Sequence, residues 1–306
     1  MQHSTTSPRG RGNPAGSLNC SLVRWLRIRQ RGVTMIVSRP LSHLSRAALL
    51  ALAVLGCAAD VCANAAAGEL PAVASRQRTE KKRFTDGEIV DGFLKTAFGA
   101  EYHLAGRVDR IRKFDAPVRV FAESDGRADR KAQLVKVVAD IARRVQHLDI
   151  AMTDDAEAAN LRVKLVRDRD LYRTISAFYG TQKAREIRSS LDPQCLSGFR
   201  KNENFEIEHS DVILTVDNGD FIFLDCAYEE LLQSLGPIND TSSVPWTMFN
   251  DNVSMGYFDV YDQYILNLLY DPRIKAGMTV PEVRAVLPDV LADVRAWVMQ
   301  VNNLTE

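Results

Sequence analysis

Helical and strand periodicities alternate along residues 86–301, which restricts the chain to folds that pack helices against a sheet. Ile89, Phe93, Leu94, Ala97 and Phe98 recur at helical spacing and predict a helix over 86–99. Val118, Val120 and Ala122 alternate with polar neighbours and predict a strand over 117–123. Residues 128–147 carry the clearest amphipathic stripe: Leu134, Val137, Val138, Ile141, Ala142 and Val145. Leu161, Val163 and Leu165 alternate with Arg162 and Lys164 as a second strand. Residues 169–190 read as helical with a break at Gly180, and Asp211 to Val216 as a third strand closed by Asn218-Gly219. Helices follow over about 221–235, 257–270 and 281–301, with a polar loop at 238–256 and a turn at 277–279. There is no repeat and no internal linker. The expectation is α+β: a single domain over 85–306, with a small mixed sheet packed against several helices.

The segment before that domain reads as an address. Ala47 to Ala59 is an apolar run of about 13 residues, short of the roughly 20 needed to span a bilayer. Arg39 and Arg46 precede it and small residues follow, the pattern of a signal peptide over 35–65. Residues 1–34 are either readthrough ahead of a true start at Met35 or part of a longer leader. Two processing sites compete. Val54-Leu55-Gly56-Cys57 resembles a lipobox and makes Cys57 a lipidation candidate. Ala63-Asn64-Ala65 fits ordinary signal peptidase. Residues 66–84 read as a flexible tether, whose basic run RQRTEKKR at 76–83 is either solvated or lies against anionic headgroups. The body is therefore expected outside the cytoplasm, in the periplasm or as a membrane-anchored lipoprotein of a Gram-negative bacterium.

Charge and cysteine content agree with that address. The whole chain balances 39 bases against 39 acids. The first 65 residues hold eight Arg and only one acid, Asp60, so the rest carries a formal charge of −7. That acidity excludes a general nucleic-acid binder. Cleavage after Ala65 leaves two cysteines, Cys195 and Cys226. In an exported protein these make one disulfide, or else remain as two buried thiols.

The segment Asp225 to Asp240 (DCAYEELLQSLGPIND) carries the most chemistry. On a wheel of about 100° per residue, Leu224, Tyr228, Leu231 and Leu235 form an apolar stripe. Cys226, Glu229, Glu230 and Gln233 fall on the opposite side. Such a face is ordinarily solvated. A disulfide at Cys226 and the long loop after it argue instead for a cleft formed by Glu229, Gln233, Asn239, Asp240, Asn250 and Asp251. Trp246 and Phe249 either pack over the motif helix or anchor a partner. No Walker A loop, G-x-G-x-x-G, G-x-S-x-G or C-x-x-C is present. Glu230 with Asp240 or Asp251 is a conceivable paired-carboxylate hydrolase.

The spacing Glu229-Glu230-x-x-Gln233-x-x-Gly236-x-x-Asn239 resembles the frame of the long zincin motif, H-E-x-x-H-x-x-G-x-x-H. The glutamate and glycine positions are kept as Glu230 and Gly236, and all three histidine positions are changed. The zincin resemblance implies an edge strand ahead of this helix, assigned to Asp211–Val216, and makes Met255 a relic of the turn that follows. The body also resembles the domain of unknown function 2927 family of proteobacteria, often described as lipoproteins. Cys226, Glu229-Glu230, Gln233, Leu235-Gly236, Asn239-Asp240, Phe249-Asn250-Asp251, Leu269-Tyr270-Asp271-Pro272-Arg273-Ile274 and Gly277-Met278 carry that likeness over about 83–285.

These readings imply a zincin-like fold that has lost its zinc ligands. Only Glu229 remains a strong ligand, so no cofactor is expected. If a metal binds, Glu229, Gln233 and Asn239 would hold it through oxygen, with Asp240 as a further donor, and a hard cation would suit them better than zinc. The expected role is a binding or scaffold module for an envelope protein or cell-wall ligand. The alternative is an unconventional hydrolase with Glu230 as general base, metal-independent or with an oxygen-ligated metal.

Overall fold

The computed structural model describes residues 70–99, 109–124, 130–191 and 194–305. Residues 35–65, expected to be a signal peptide, and with them Cys57, lie outside the described residues. Among the described residues no helix is long and apolar enough to cross a membrane.

Among the described residues five strands form one mixed sheet: β1 (Val118–Ser124), β2 (Ile150–Met152), β3 (Leu161–Val166), β4 (Cys195–Lys201) and β5 (Ile207–Thr215). Their order is β2-β1-β3-β5-β4. The first four are mutually parallel, whereas β4 runs antiparallel to β5 and forms one edge. Among the described residues there are also eight helices, and the α+β expectation holds. The three expected strands are present. β2 is too short to show a period. In β4 the alternation CLSGFRK is broken at Gly198, and the sequence reading missed it. The edge strand expected at Asp211–Val216 lies instead in β5, up to Thr215, between β3 and β4, and β4 forms the edge on that side.

The two sheet faces divide by residue parity. Val118, Val120, Leu161, Val163, Val212 and Leu214 enter the main core with Leu134, Val137, Val138 and Ile141 of α3 (Lys131–Arg144). Leu196 and Ile213 face the other way. They meet Leu171 and Ile175 of α4 (Asp168–Tyr179) and Ala184 and Ile187 of α5 (Thr181–Leu191) in a smaller cluster. Gly180 separates these two helices, as the sequence predicts. Helix α6 (Asp220–Ser234) packs beneath β4 and β5. Every residue of α7 (Val260–Tyr270) is buried. It lies between α2 (Asp86–Ala97) and α8 (Val280–Val301), both opened by capping boxes, Thr85 with Glu88 and Thr279 with Glu282.

The expected tether is ordered from residue 70. Pro71–Thr79 is a helix, α1, and the segment after it is packed against the domain. Arg76 stacks on Phe221 at 4.4 Å and donates to Ser254 O. Lys81 sits 4.3 Å over Trp246 and pairs with Glu88. Phe84 is buried against Tyr261 and Trp246. The basic run thus spends several of its cations on aromatic faces and carbonyls of its own domain. Trp246 packs against this segment, and Phe249 is fully buried.

Candidate functional site

Both sides of α6 are enclosed, so its polar face is not a solvated one. The stripe of Tyr228, Leu231 and Leu235 enters the core. Cys226, Glu230 and Gln233 are buried as well, in the helix packed beneath the β4–β5 edge. Cys195 at the start of β4 is disulfide-bonded to Cys226, with Cα atoms 5.9 Å apart. Two residues along β4, the Ser197 hydroxyl donates to Gln233 Oε1 at 3.4 Å. The Ser210 hydroxyl of β5 donates to the Ser234 carbonyl at 2.8 Å. One covalent bond and one hydrogen bond therefore hold the edge strand β4 over the helix, and a second hydrogen bond holds β5.

After Ser234 the chain must reverse to return past its own helix. Gly236 makes the turn at φ +140°, where a Cβ would lie 2.2 Å from the Arg112 carbonyl oxygen. Asp240 then comes back beside Gln233, whose Nε2 donates to its Oδ1 at 2.6 Å. Further along the loop, Asp251 returns to the same place. Carboxylate oxygens of Glu229, Asp240 and Asp251 all lie within 4.8 Å of one another. Burial, followed by the charges of Glu230, Asp240, Asp225 and Asp251, holds the Glu229 carboxyl well above the usual carboxylate range. Asp225 stands one helical turn before Glu229. Its Oδ1 accepts from Met255 N and Gly256 N, which fastens the end of the loop to α6.

Some of the residues expected in the cleft lie elsewhere. Asn239 faces away: its Nδ2 donates to the Lys95 carbonyl at 2.7 Å and its amide packs beside Gly99. Asn250 is a loop staple, donating to Val244 O and accepting from Asn252 N. Gln233 is adjacent, but it serves the cluster by orienting Asp240. Of the expected set Glu229, Gln233 and Asn239, only Glu229 belongs to the carboxylate cluster with Asp240 and Asp251. Asn239 stands at the position that follows the turn glycine in the zincin frame, and here the chain past Gly236 carries its amide to the Lys95 carbonyl. Asp225 and Ser197 were missed. The first looked like an ordinary helical acid, and the second sits in the strand that gave no period.

The set does not suit zinc. It consists of three carboxylates, without imidazole or thiolate. His147 lines a distant cavity with Trp297 and Asp293, and His209 pairs with Asp211 on the other sheet face. Oxygen donors at this spacing suit a hard cation such as Ca²⁺ or Mg²⁺.

A family model described as "Protein of unknown function (DUF2927)" matches residues 86–289, about two-thirds of the chain. The chain belongs to that family. No curated protein and no solved structure matches it.

Proposed function

We propose that this DUF2927 member is an exported cell-envelope binding module whose cleft beneath β4 is organised by an oxygen-ligated divalent cation. The observation that carries this reading is the convergence of Glu229, Asp240 and Asp251 within 4.8 Å. Glu229 has no base among the groups that most shift it, only four acids. Three carboxylates so close repel one another strongly unless protonated or bridged by a cation. This departs from the metal-free cleft expected from the sequence, because the fold brings in two acids where the motif frame offered two amides. A bound cation would join α6 to both ends of the loop over 238–256 and fix the floor under the sheet edge. The partner would be an envelope protein or cell-wall ligand. Export rests on the leader over 35–65, with Cys57 or the Ala63-Asn64-Ala65 site as its processing point.

The test is calorimetric titration of chelator-treated protein with Ca²⁺, Mg²⁺ and Zn²⁺, beside Glu229→Gln and Asp251→Asn variants. Ca²⁺ is expected to bind with a Kd of roughly 10⁻⁴–10⁻³ M, the range of extracellular oxygen-ligand sites. At a hundredfold excess over Kd it should stabilise the fold by about 2.7 kcal/mol, and both variants should lose this. No heat with any of the three ions, or equal binding by the variants, would overturn the reading.

Glu230 keeps a second reading in view. It is only 6% exposed and adjoins the cluster. A buried carboxylate beside a cation site has the placement of a general base. If the chain is a hydrolase, Glu230→Gln will abolish turnover while leaving cation binding intact.

A further inference from the structure

The sheet face opposite α6 carries a second cavity, of about 650 Å³, which helices α4 and α5 leave uncovered. This volume lies within the range of small-molecule sites. Its walls are the outward residues of β1, β3, β5 and β4 together with the end of α4.

The charges there do not cancel. Glu123 accepts from Lys164 at 2.5 Å and lies 3.9 Å from an Arg162 Nη. Asp211 lies 3.2 Å from His209 Nε2. Both acids are thus engaged by residues of the same wall. On the basic side, Arg162 spends one Nη on the Ala156 carbonyl, while its Nε is buried with no hydrogen-bond partner. The Arg200 side chain is exposed and has no hydrogen-bond or ion-pair partner among the described residues. Three bases against two acids leave formal positive charge in a body whose net charge is −7.

The rest of the wall is aromatic. Phe178 lies 5.0 Å from Lys164 Nζ. The Tyr179 hydroxyl reaches the β4 backbone at Gly198, where a Cβ would approach it to 2.6 Å, so only glycine admits it. Burial and the charges of Asp211 and Glu230 keep that hydroxyl protonated at neutral pH, and it stands ready as a donor.

We propose that this cavity binds a small oxyanion attached to a flat apolar group, with Arg162 and Arg200 holding the oxyanion and Phe178 and Tyr179 meeting the apolar part. Guanidinium forks match planar and tetrahedral oxyanions and give charge-assisted hydrogen bonds. The site is separate from the acid cluster and stands whether or not a cation binds there.

The experiment uses phenyl phosphate and inorganic phosphate as probes of the full chain, followed by calorimetry and by the ring resonances of His209. Phenyl phosphate should bind saturably and more tightly than inorganic phosphate, and should shift the His209 signals. Arg200→Ala changes an exposed side chain and should fold normally, whereas Arg162→Gln also loses the bond to Ala156 O. Each should weaken binding at least about tenfold, the effect of one lost charge-assisted hydrogen bond. Glu229→Gln should bind the probe like the parent. Absence of saturable binding up to about 10 mM, or equal affinity in the Arg200→Ala variant, would overturn the proposal.

Discussion

Removing the Cys195–Cys226 disulfide probes how the sheet edge is held over α6. The bond closes a loop of 31 residues. On the chain-entropy model that loop limits the unfolded ensemble enough to stabilise the fold by about 3.7 kcal/mol. In a domain of this size, 1 kcal/mol moves Tm by roughly 2–4 °C, so reduction should lower Tm by about 7–15 °C. The Cys195→Ala/Cys226→Ala variant should fall slightly further. Cys226 is 6% exposed, and losing its sulfur costs about 1 kcal/mol of burial. Urea unfolding of the oxidised parent, the reduced parent and the double variant separates these contributions, because the two parent forms share one sequence. The urea slope should rise once the cross-link is gone, since a freer unfolded chain exposes more surface. Amide exchange should also quicken first along β4, which pairs with only one neighbouring strand. A loss below about 1 kcal/mol between oxidised and reduced parent would refute the reasoning. It would show that pairing with β5 alone positions the edge.

Three further outcomes follow from buried polar groups and from the turn. Lys113→Met should destabilise by about 3 kcal/mol in urea. Lys113 donates to the carbonyls of Leu269, Asp271 and Ile274, and all three would be left without it; burial already lowers its ammonium to about 8. Gly236→Ala should cost roughly 2–4 kcal/mol in thermal unfolding, because its φ is positive and the Arg112 carbonyl blocks a Cβ; weakened Ca²⁺ binding should accompany it. Asp259 is buried beside Asp262: burial and then the Asp262 carboxyl hold Asp259 well above the usual carboxylate range, whereas Asp262 is raised by burial, with its hydrogen bonds to Asp259, Met248 N and Thr247 acting the other way. A carboxyl raised in the folded state stabilises below its unfolded value, and that stability is lost as pH rises through the folded one. Asp259→Asn keeps the cap on Tyr261 N and Asp262 N without the charge. It should therefore raise Tm at pH 7 and converge on the parent near pH 4; a uniform offset at all pH values would contradict the shared-charge account.

What the sequence alone determined is local or compositional. Alternation of Val118, Val120 and Ala122 marked β1, and the stripe from Leu134 to Ile141 marked α3, because burial of one face imposes its period on the residues. The α+β class followed from the order of such segments. The disulfide was readable on the expectation that a leader is removed, since that leaves a single pair of cysteines with one way to join. The tertiary structure decided everything that depends on close approach between distant segments. The basic run at 76–83 looked like a solvated tether because aromatic partners such as Phe221 and Trp246 lie far along the chain. Asn239 took a ligand's place from the zincin frame, whose third position follows the turn glycine, but past Gly236 the fold turns its amide to the Lys95 carbonyl. Asp251 joined Glu229 only through the path of a loop with no period at all. Periodicity records which side of an element is buried; the meeting of carboxylates from a helix and two loop positions depends on a turn, and no spacing in the sequence encodes its angle.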